Sequence, residues 1–340
     1  MTPSRRLTRC AARPFVFAMA VGLLAAVFAA SPPARAQADG GSNAEAEGPQ
    51  TIDLRPIWED GQTSRYRSVT RRKVHQVRKV MGNESEQSQL LVFEAEAAWK
   101  VIDAREEGGG EVELKMDKLE MRMTGSDGKT YKASARRADD ALKRAQQLLK
   151  GLTSRPIRFV VASDGTIERV RDWKAVAAAA GEAGESLTES DFREIAIELA
   201  LLPGAVADAK RGSTWREDFQ WSHEMGELDL DTTYKVVAFE RVAGVPIANI
   251  QAISEIDAEI DKSKFQPPGG NNAQGPKVDV KFNGGKQGAQ IMYDLSRNEI
   301  VGHNVTRQLE FQMDLSYQGR KFEQVMTHTM NTQVVRLDED

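Results

Sequence analysis

Cysteine is almost missing from this chain, and so is any excess of basic residues. The 340 residues include one cysteine, Cys10, which cannot form a disulfide within the chain, so a disulfide-stapled fold is excluded. Lysine and arginine total 46 against 50 acidic residues. The isoelectric point is about 5.8, well below the values above about 9 that are typical of nucleic-acid-binding domains. Nucleic acid is therefore not a predicted partner, and a mean hydropathy of -0.48 excludes a protein with many membrane spans.

Long apolar runs are also rare, and the clearest one lies at the N-terminus. Phe15 to Ala30 is apolar, four arginines precede it, and Ala34-Arg35-Ala36 follows it. This layout is typical of a secretory signal peptide. An uncleaved membrane anchor is the alternative, but the run is shorter than the ~20 residues that span a bilayer. We predict cleavage after Ala36, export to the periplasm or the extracellular space, and no stable transmembrane segment afterwards.

Removal of residues 1–36 changes the composition of the working protein. The segment contains the cysteine and five of the 46 basic residues, so 304 residues remain, with 41 basic residues against 50 acidic ones. The mature chain is then cysteine-free, with a net charge of −9. Residues 37–50 are small, polar and acidic, which predicts a disordered spacer.

The most regular pattern is near the C-terminus. Apolar and polar residues alternate from Val305 to Tyr317, and a second extended run covers Phe322 to Val335. A turn at 318–319 makes these two runs a long hairpin. In this register His328 faces Leu309 and His303 faces Val334, so the two histidines are not neighbours.

Other segments show the same period of two. Phe93–Val101 alternates, and so does Val112–Met123, where the phase slips across Asp117-Lys118 as a β-bulge would produce. Ile157–Val170 reads as a hairpin around Asp164-Gly165. Weaker strand candidates are Tyr234–Glu240, Ala248–Ile256, Val278–Phe282 and Gln290–Leu295, and residues 266–276 form a loop.

Helical signals are fewer. Arg136–Lys150 has one apolar face, and residues 174–202 contain an alanine-rich stretch and a second helix that Thr188 and Asp191 cap. We predict an α+β, mostly antiparallel fold, with one or two curled sheets of long strands and a few covering helices. Two β-rich parts, 51–173 (with the helix 136–150) and 205–340, flank a helical connector, 174–204. The similar order of elements in the two parts suggests an internal duplication.

No motif for a defined chemistry is present. The sequence contains neither a phosphate-binding glycine loop nor a G-x-S-x-G elbow, and the four histidines are far apart. We predict no catalytic residue, no metal and no cofactor. Carboxylates are too plentiful for a catalytic pair to be selected from the sequence, so a carboxylate-dependent hydrolase stays an alternative.

Methionines on the predicted strand faces have two readings. They fill a sheet core, or they line an apolar ligand cavity. Arg307 and His328 interrupt apolar strand faces, which marks either the polar end of a cavity or, as the favoured reading, the rim where the sheet leaves the core. The candidate ligand-binding residues are Met116, Met121, Met123, Arg307, Met313, Met326 and His328.

A short segment carries a resemblance to other proteins. Leu202-Pro203 followed by Lys210–Trp215 resembles the "LP…GDxW" segment of exported bacterial proteins of unknown function, with Ser213 where that pattern prefers Asp. Gly61–Tyr66 and Asp294–Ile300 extend the resemblance over most of the mature chain. The group has no assigned catalytic residues. The architecture is also similar to that of periplasmic lipoprotein carriers, in which helices cover the apolar concavity of a curled antiparallel sheet.

Three functions are consistent with these features. The leading prediction is a non-enzymatic envelope protein that binds an apolar ligand, such as a lipid, or an envelope protein partner in the concavity of its sheet. A scaffold that pairs through strand edges is the second, and the hydrolase is the third.

Overall fold

The structure is a computed structural model that describes residues 51–80, 82–223, 225–261, 277–317 and 320–337. The predicted signal peptide, the spacer at 37–50, the 266–276 loop and the 318–319 turn lie outside the described residues.

Twelve strands form one antiparallel sheet, which confirms the predicted fold class. Most of them are long, as the extended alternation predicts. The strands are β1 Thr63–Val80, β2 Asn83–Ala104, β3 Gly110–Thr124, β4 Thr130–Ser134, β5 Ile157–Val161, β6 Ile167–Arg171, β7 Thr214–His223, β8 Gly226–Val242, β9 Val245–Ile260, β10 Lys277–Asp294, β11 Glu299–Tyr317 and β12 Arg320–Leu337.

The two β-rich parts of the chain share this sheet. Its order is β6-β5-β3-β2-β1-β12-β11-β10-β9-β8-β7, and β4 pairs with β3. Each part is a meander, and the pairing of β1 with β12 joins the first part to the second. The connector links β6 to β7 in the chain. These two strands are therefore the opposite edges of the sheet.

The described residues also form three helices and two short 3₁₀ segments: α1 Lys143–Leu152, α2 Trp173–Ala179, α3 Glu189–Leu199, and 3₁₀ turns at Asp140–Leu142 and Gly181–Gly184. Helix α3 contacts both edge strands of the sheet, β6 and β7. Arg193 donates a hydrogen bond to the carbonyl oxygen of Ile167 on β6. On the other side, the Ser190 hydroxyl donates to the carbonyl oxygen of Gln220 on β7, at 2.8 Å.

The sequence predicts the start of α3 correctly but predicts a start for α1 that is too early. Helix α3 starts after Thr188, whose backbone N–H donates to the Asp191 carboxylate at 2.6 Å, as the capping signal predicts. The helix predicted from Arg136 begins only at the 3₁₀ turn. The reason is that the Asp139 carboxylate accepts the N–H of Lys132, at 2.7 Å, and holds the preceding residues in a turn.

Two details of strand pairing match the sequence analysis. In the β11–β12 hairpin, His328 pairs with Leu309 and His303 pairs with Val334. On β3, the register against β2 shifts between Met116 and Lys118, so Asp117 is the extra residue of a β-bulge. The bulge keeps apolar side chains on one face along the whole strand.

Buried apolar residues lie on the inner face of the sheet in three main clusters. The first packs β1–β3, β5 and β6 against the helices. The second lies on β7–β11 around Trp215 and Tyr234, whose rings stack with centroids 5.0 Å apart. The third lies toward the strand ends at which β11 is followed by β12 in the chain and β1 is followed by β2. We call these strand ends the hairpin end of the sheet. Its buried residues come from strands β7–β12 and the turn at Met225.

Candidate functional site

The structure divides the predicted binding methionines between two places. Met116 and Met121 are buried in the first cluster, where Met123 packs against them beside the helices. This placement matches the core reading for the three β3 methionines. Met313 and Met326 lie instead in the third cluster with Phe311, toward the hairpin end.

Arg307 and His328 are not at a rim, and the favoured sequence interpretation of them is wrong. Arg307 is 3 % exposed and His328 is 1 % exposed. Inward positions of β11 and β12 lie under α3 and the neighbouring strands, a long-range effect that the alternation within one hairpin does not show. Nδ1 of His328 is 2.8 Å from an Arg72 guanidinium nitrogen, and its ring lies 5.5 Å from those of Phe311 and His223. Burial, reinforced by Arg72 and His223, holds the pKa of His328 well below its ordinary value.

Arg307 belongs to a row of polar side chains that crosses the inner face, which we call the polar belt. Thr232, Ser254, Gln287 and Arg307 occupy matching positions on β8, β9, β10 and β11. The Thr232 and Ser254 hydroxyls are 2.8 Å apart, Gln287 donates to Ser254 at 3.4 Å, and Nε of Arg307 donates to Gln287 at 2.7 Å. The chain of hydrogen bonds orients the guanidinium group.

Two carboxylates of α3 bind the other nitrogens of Arg307. Nη1 is 3.1 Å from Glu194 and Nη2 is 3.0 Å from Glu198, and all three side chains are buried. Burial raises the pKa of Glu194 to about 8, although Arg307 lowers it, and burial also raises the pKa of Glu198. The guanidinium group also lies 4.0 Å from the centre of the Trp221 ring. We call Arg307, Glu194 and Glu198 the α3 cluster.

A small cavity of about 40 Å³ adjoins this cluster between α3 and the sheet. Glu198 and Leu201 line it on one side, and Trp221, Gln287 and His303 line it on the other. Burial lowers the pKa of His303 to about 4, against the opposing effect of its hydrogen bond to the Glu198 backbone. The cavity is large enough for water but far below the 300–1,000 Å³ that is usual for ligand pockets.

The inner face becomes more accessible toward the hairpin end. Beyond the buried pair Leu309 and Phe311, the inward residues Met313 and Leu315 are half-buried. Val278 and Phe322, which pair with Leu315, are half-buried as well, and so is Phe282 opposite Phe311, whereas Val280 opposite Met313 is buried. A half-buried apolar surface around Met313 and Leu315 thus lies at this end of the sheet, separated from the polar belt by the fully buried Leu309 and Phe311.

The outer face of β7–β9 contains a different feature, an open groove of about 550 Å³. Carboxylates dominate its lining: Asp218, Asp229, Asp231, Glu255 and Asp257. Asp231 forms an ion pair with Arg216. Across the described ranges, no group of three or more His, Cys, Asp or Glu side chains is placed to hold a metal ion.

The residues that carry the sequence resemblance have structural contacts. Nε1 of Trp215 donates to the carbonyl oxygen of Pro203 at 3.1 Å, and the Ser213 hydroxyl accepts the N–H of Lys210 at 2.9 Å. Asp294 accepts the N–H of Ser296 in its turn, also at 2.9 Å. These side chains stabilise turns around the second buried cluster. At position 213 an Asp carboxylate could accept the same backbone N–H as the Ser213 hydroxyl.

The comparisons with known proteins show no family. No protein-family model and no curated protein sequence matches this chain. Among solved structures, it is similar to lipovitellin, in a study of that protein's lipid–protein interactions, with 11% identity, a TM-score of 0.38, and coverage of 83% of this chain and 25% of that one.

Two further structures show weaker similarity. A DUF1329 family protein from Desulfovibrio piger has 11% identity and a TM-score of 0.12, with 80% of this chain and 85% of that chain covered. The outer membrane protein OprG from Pseudomonas aeruginosa has 6% identity and a TM-score of 0.21, with 84% and 100% covered. The TM-scores are below 0.5, so these likenesses carry no inference about function. In the part of this chain that is described, no helix has the length and apolarity to cross a membrane.

Sequence reasoning missed the two α3 glutamates. Glu194 and Glu198 are four residues apart and therefore lie on one face of the helix, next to the apolar residues that predict it. This spacing, together with an arginine at an inward strand position, is the signal that was available.

Proposed function

We propose that this protein is a non-enzymatic exported protein that binds an apolar ligand on the inner face of its sheet. One observation supports this proposal above others. The inner face toward the hairpin end is apolar and half-buried, around Met313, Leu315 and Phe322, while its other end is packed under helices. An apolar surface of this kind, next to a few buried polar groups, is typical of ligand sites.

The strand-edge scaffold has less support. The edge strand β6 has five residues and β7 has ten, and both contact α3 through side-chain hydrogen bonds. Short edges that a helix partly covers are poor templates for pairing with another chain.

The hydrolase alternative has one observation in its favour, the raised pKa values of Glu194 and Glu198. Both carboxylates are bound to Arg307, however, and the adjoining cavity of about 40 Å³ is too small for a substrate. We therefore keep the absence of catalysis as part of the proposal.

Titration of a fluorescent apolar probe such as N-phenylnaphthylamine tests the proposal. We expect saturable binding by the wild-type protein and at least about tenfold weaker binding by Met313→Glu, because a charge then enters the apolar surface. The matched control is Gln308→Glu, which puts the same charge on the exposed face of the same strand. Equal binding by both variants, or no binding by the wild-type protein, contradicts the proposed site.

A further inference from the structure

The polar belt presents Arg307 as a preoriented fork. Gln287 fixes Nε, the Trp221 ring lies against the guanidinium plane, and the two terminal nitrogens point toward α3. In this arrangement each terminal nitrogen bonds to a different carboxylate. A single carboxylate can bridge both nitrogens of such a fork, which is the preferred geometry of arginine with this group.

The present occupants of the fork are unbalanced in charge. Two carboxyl groups share one guanidinium group, and of the charged groups that shift the pKa of Glu194, Arg307 is the cation and Glu198 is an anion. A second buried arginine, Arg72, lies in the same row two strands away and contacts His328. His303 is a buried neutral ring, and Asp191 on the same helix adds a further negative charge. A buried charge without a matching partner is unfavourable, so the ionised form of the α3 cluster is not an optimal arrangement.

A second ionic cluster, in which Asp294 and Glu299 are buried and Arg297 is exposed, provides a comparison. Arg336 contacts Asp294 at 3.0 Å and Glu299 at 2.5 Å, and Arg297 contacts Glu299 at 2.6 Å, so two cations meet two carboxylates there. Burial raises the pKa of Asp294, but its hydrogen bonds with Ser296 and Arg336 bring it below its ordinary value. The imbalance is thus a feature of the α3 contact and not of buried charges in this fold generally.

Helix α3 is attached asymmetrically. Its apolar residues Phe192, Ile195 and Ala196 belong to the first cluster, with β1–β3, β5 and β6. Toward β7–β11 it contributes the two glutamates and the apolar Ile197, and the small cavity lies in this same contact. Separation of α3 from β7–β11 would enlarge that cavity while the apolar contacts on the other side stay in place.

The apolar surface leads away from the fork. From Arg307 to Met313 on β11 the distance is roughly 20 Å at ~3.3 Å per residue, which is comparable to an extended long acyl chain. The inward residues between them, Leu309 and Phe311, are apolar and fully buried, so an acyl chain on this path displaces side chains of the third cluster.

Resting on the proposed function, we propose that Arg307 binds the headgroup of a long-chain carboxylate, whose acyl chain extends toward the hairpin end. Glu194 and Glu198 occupy the headgroup position in the empty protein, and the ligand carboxylate replaces them as α3 separates from β7–β11. A carboxylate is the expected headgroup because the terminal nitrogens of Arg307 already donate hydrogen bonds to the carboxyl oxygens of Glu194 and Glu198.

Three probes of one chain length test this inference by calorimetric titration: hexadecanoate, hexadecanol and hexadecyltrimethylammonium. We expect the wild-type protein to bind hexadecanoate at least about tenfold more tightly than hexadecanol, a difference of about 1.4 kcal/mol, and to bind the cation most weakly. Arg307→Met in a Glu194→Gln, Glu198→Gln background avoids an unpaired buried charge. We expect it to bind hexadecanoate and hexadecanol equally, whereas the Glu194→Gln, Glu198→Gln protein with Arg307 intact keeps the preference.

The outcomes separate the two proposals. If all three probes bind alike and the arginine variant changes nothing, the headgroup inference is overturned while the apolar site stands. If no probe binds the wild-type protein, both proposals fail. Circular dichroism and the thermal midpoint of each variant show that a lost preference does not result from unfolding.

Discussion

The protonation of Glu194 leads to a quantitative prediction about stability. Its pKa rises from an ordinary value of 4.5 to about 8 because the side chain is buried. Between these pH values the folded protein keeps a proton that the unfolded chain releases. The free energy of unfolding therefore decreases as the pH rises from about 4.5 to about 8, and this contribution is fully present only below the unfolded value.

The size of the effect follows from the same two values. Each pH unit corresponds to about 1.4 kcal/mol, so the whole interval corresponds to an upper limit of about 5 kcal/mol. Glu194→Gln replaces the protonated carboxyl with a neutral group of the same shape that can still accept a hydrogen bond from Arg307. We expect the variant to match the wild-type protein near pH 5 and to be at least about 2 kcal/mol more stable at pH 8.

Urea unfolding at pH 5, 6.5 and 8, followed by tryptophan fluorescence, measures this difference. Comparison of the variant with the wild-type protein cancels the opposite contribution of His303, whose lowered pKa of about 4 reduces stability as the pH falls. Glu189→Gln is the control, since this α3 carboxylate is partly exposed and pairs with Arg193. If Glu194→Gln destabilises the protein by the same amount at every pH, Glu194 is ionised in the folded state and the reasoning is refuted.

Three further predictions concern the fold. Deletion of Asp117 removes only the residue that does not pair with β2, so we expect the free energy of unfolding to fall by about 1 kcal/mol. Deletion of Glu120 instead moves the neighbouring side chains to the wrong face of the sheet, and we expect little folded protein on expression. Gly109→Ala places a methyl group against the carbonyl oxygens of Val161 and Ala162 at a φ of +72°. We expect it to lower the free energy of unfolding by about 2 kcal/mol or more, clearly more than Gly61→Ala, where φ is also positive but space is free. Thr188→Ala removes a helix cap, so its unfolding free energy in urea should fall by about 1 kcal/mol, and no change would mean that the Asp191 side chain caps α3 alone.

Local patterns in the sequence were sufficient for much of the sheet. The pairing of β11 with β12 followed from a turn position and an alternation, because a hairpin register is a local property. The bulge at Asp117 was visible for the same reason, as a phase change within one strand. The boundary of α1 was less certain, since the turn that delays it depends on a hydrogen bond between Lys132 and Asp139.

The α3 cluster could not be assembled in this way. Arg307 is more than a hundred residues from Glu194 and Glu198 in sequence, and they meet only because α3 spans the gap between β6 and β7. From the hairpin alone, a polar residue on an apolar face looks like a rim position. Its role depends on what the rest of the chain places above it, which is also why the contact of His328 with Arg72 was not foreseen.

The two ionic clusters indicate where this fold can move. Arg336 and its carboxylates lie beside the β1–β12 pairing that joins the two parts of the sheet, and their charges balance. Such a cluster favours one fixed arrangement, because separation would leave the buried carboxylates of Asp294 and Glu299 without their arginine partners. In the α3 cluster Glu194 carries a proton below about pH 8, so the second carboxyl group is neutral, and a small cavity lined by Ile197 and Glu198 adjoins the cluster. We expect opening between α3 and β7–β11 to require less free energy than opening between the two parts of the sheet, because the latter also breaks the long β1–β12 ladder. A ligand that supplies its own carboxylate to Arg307 would lower that requirement further.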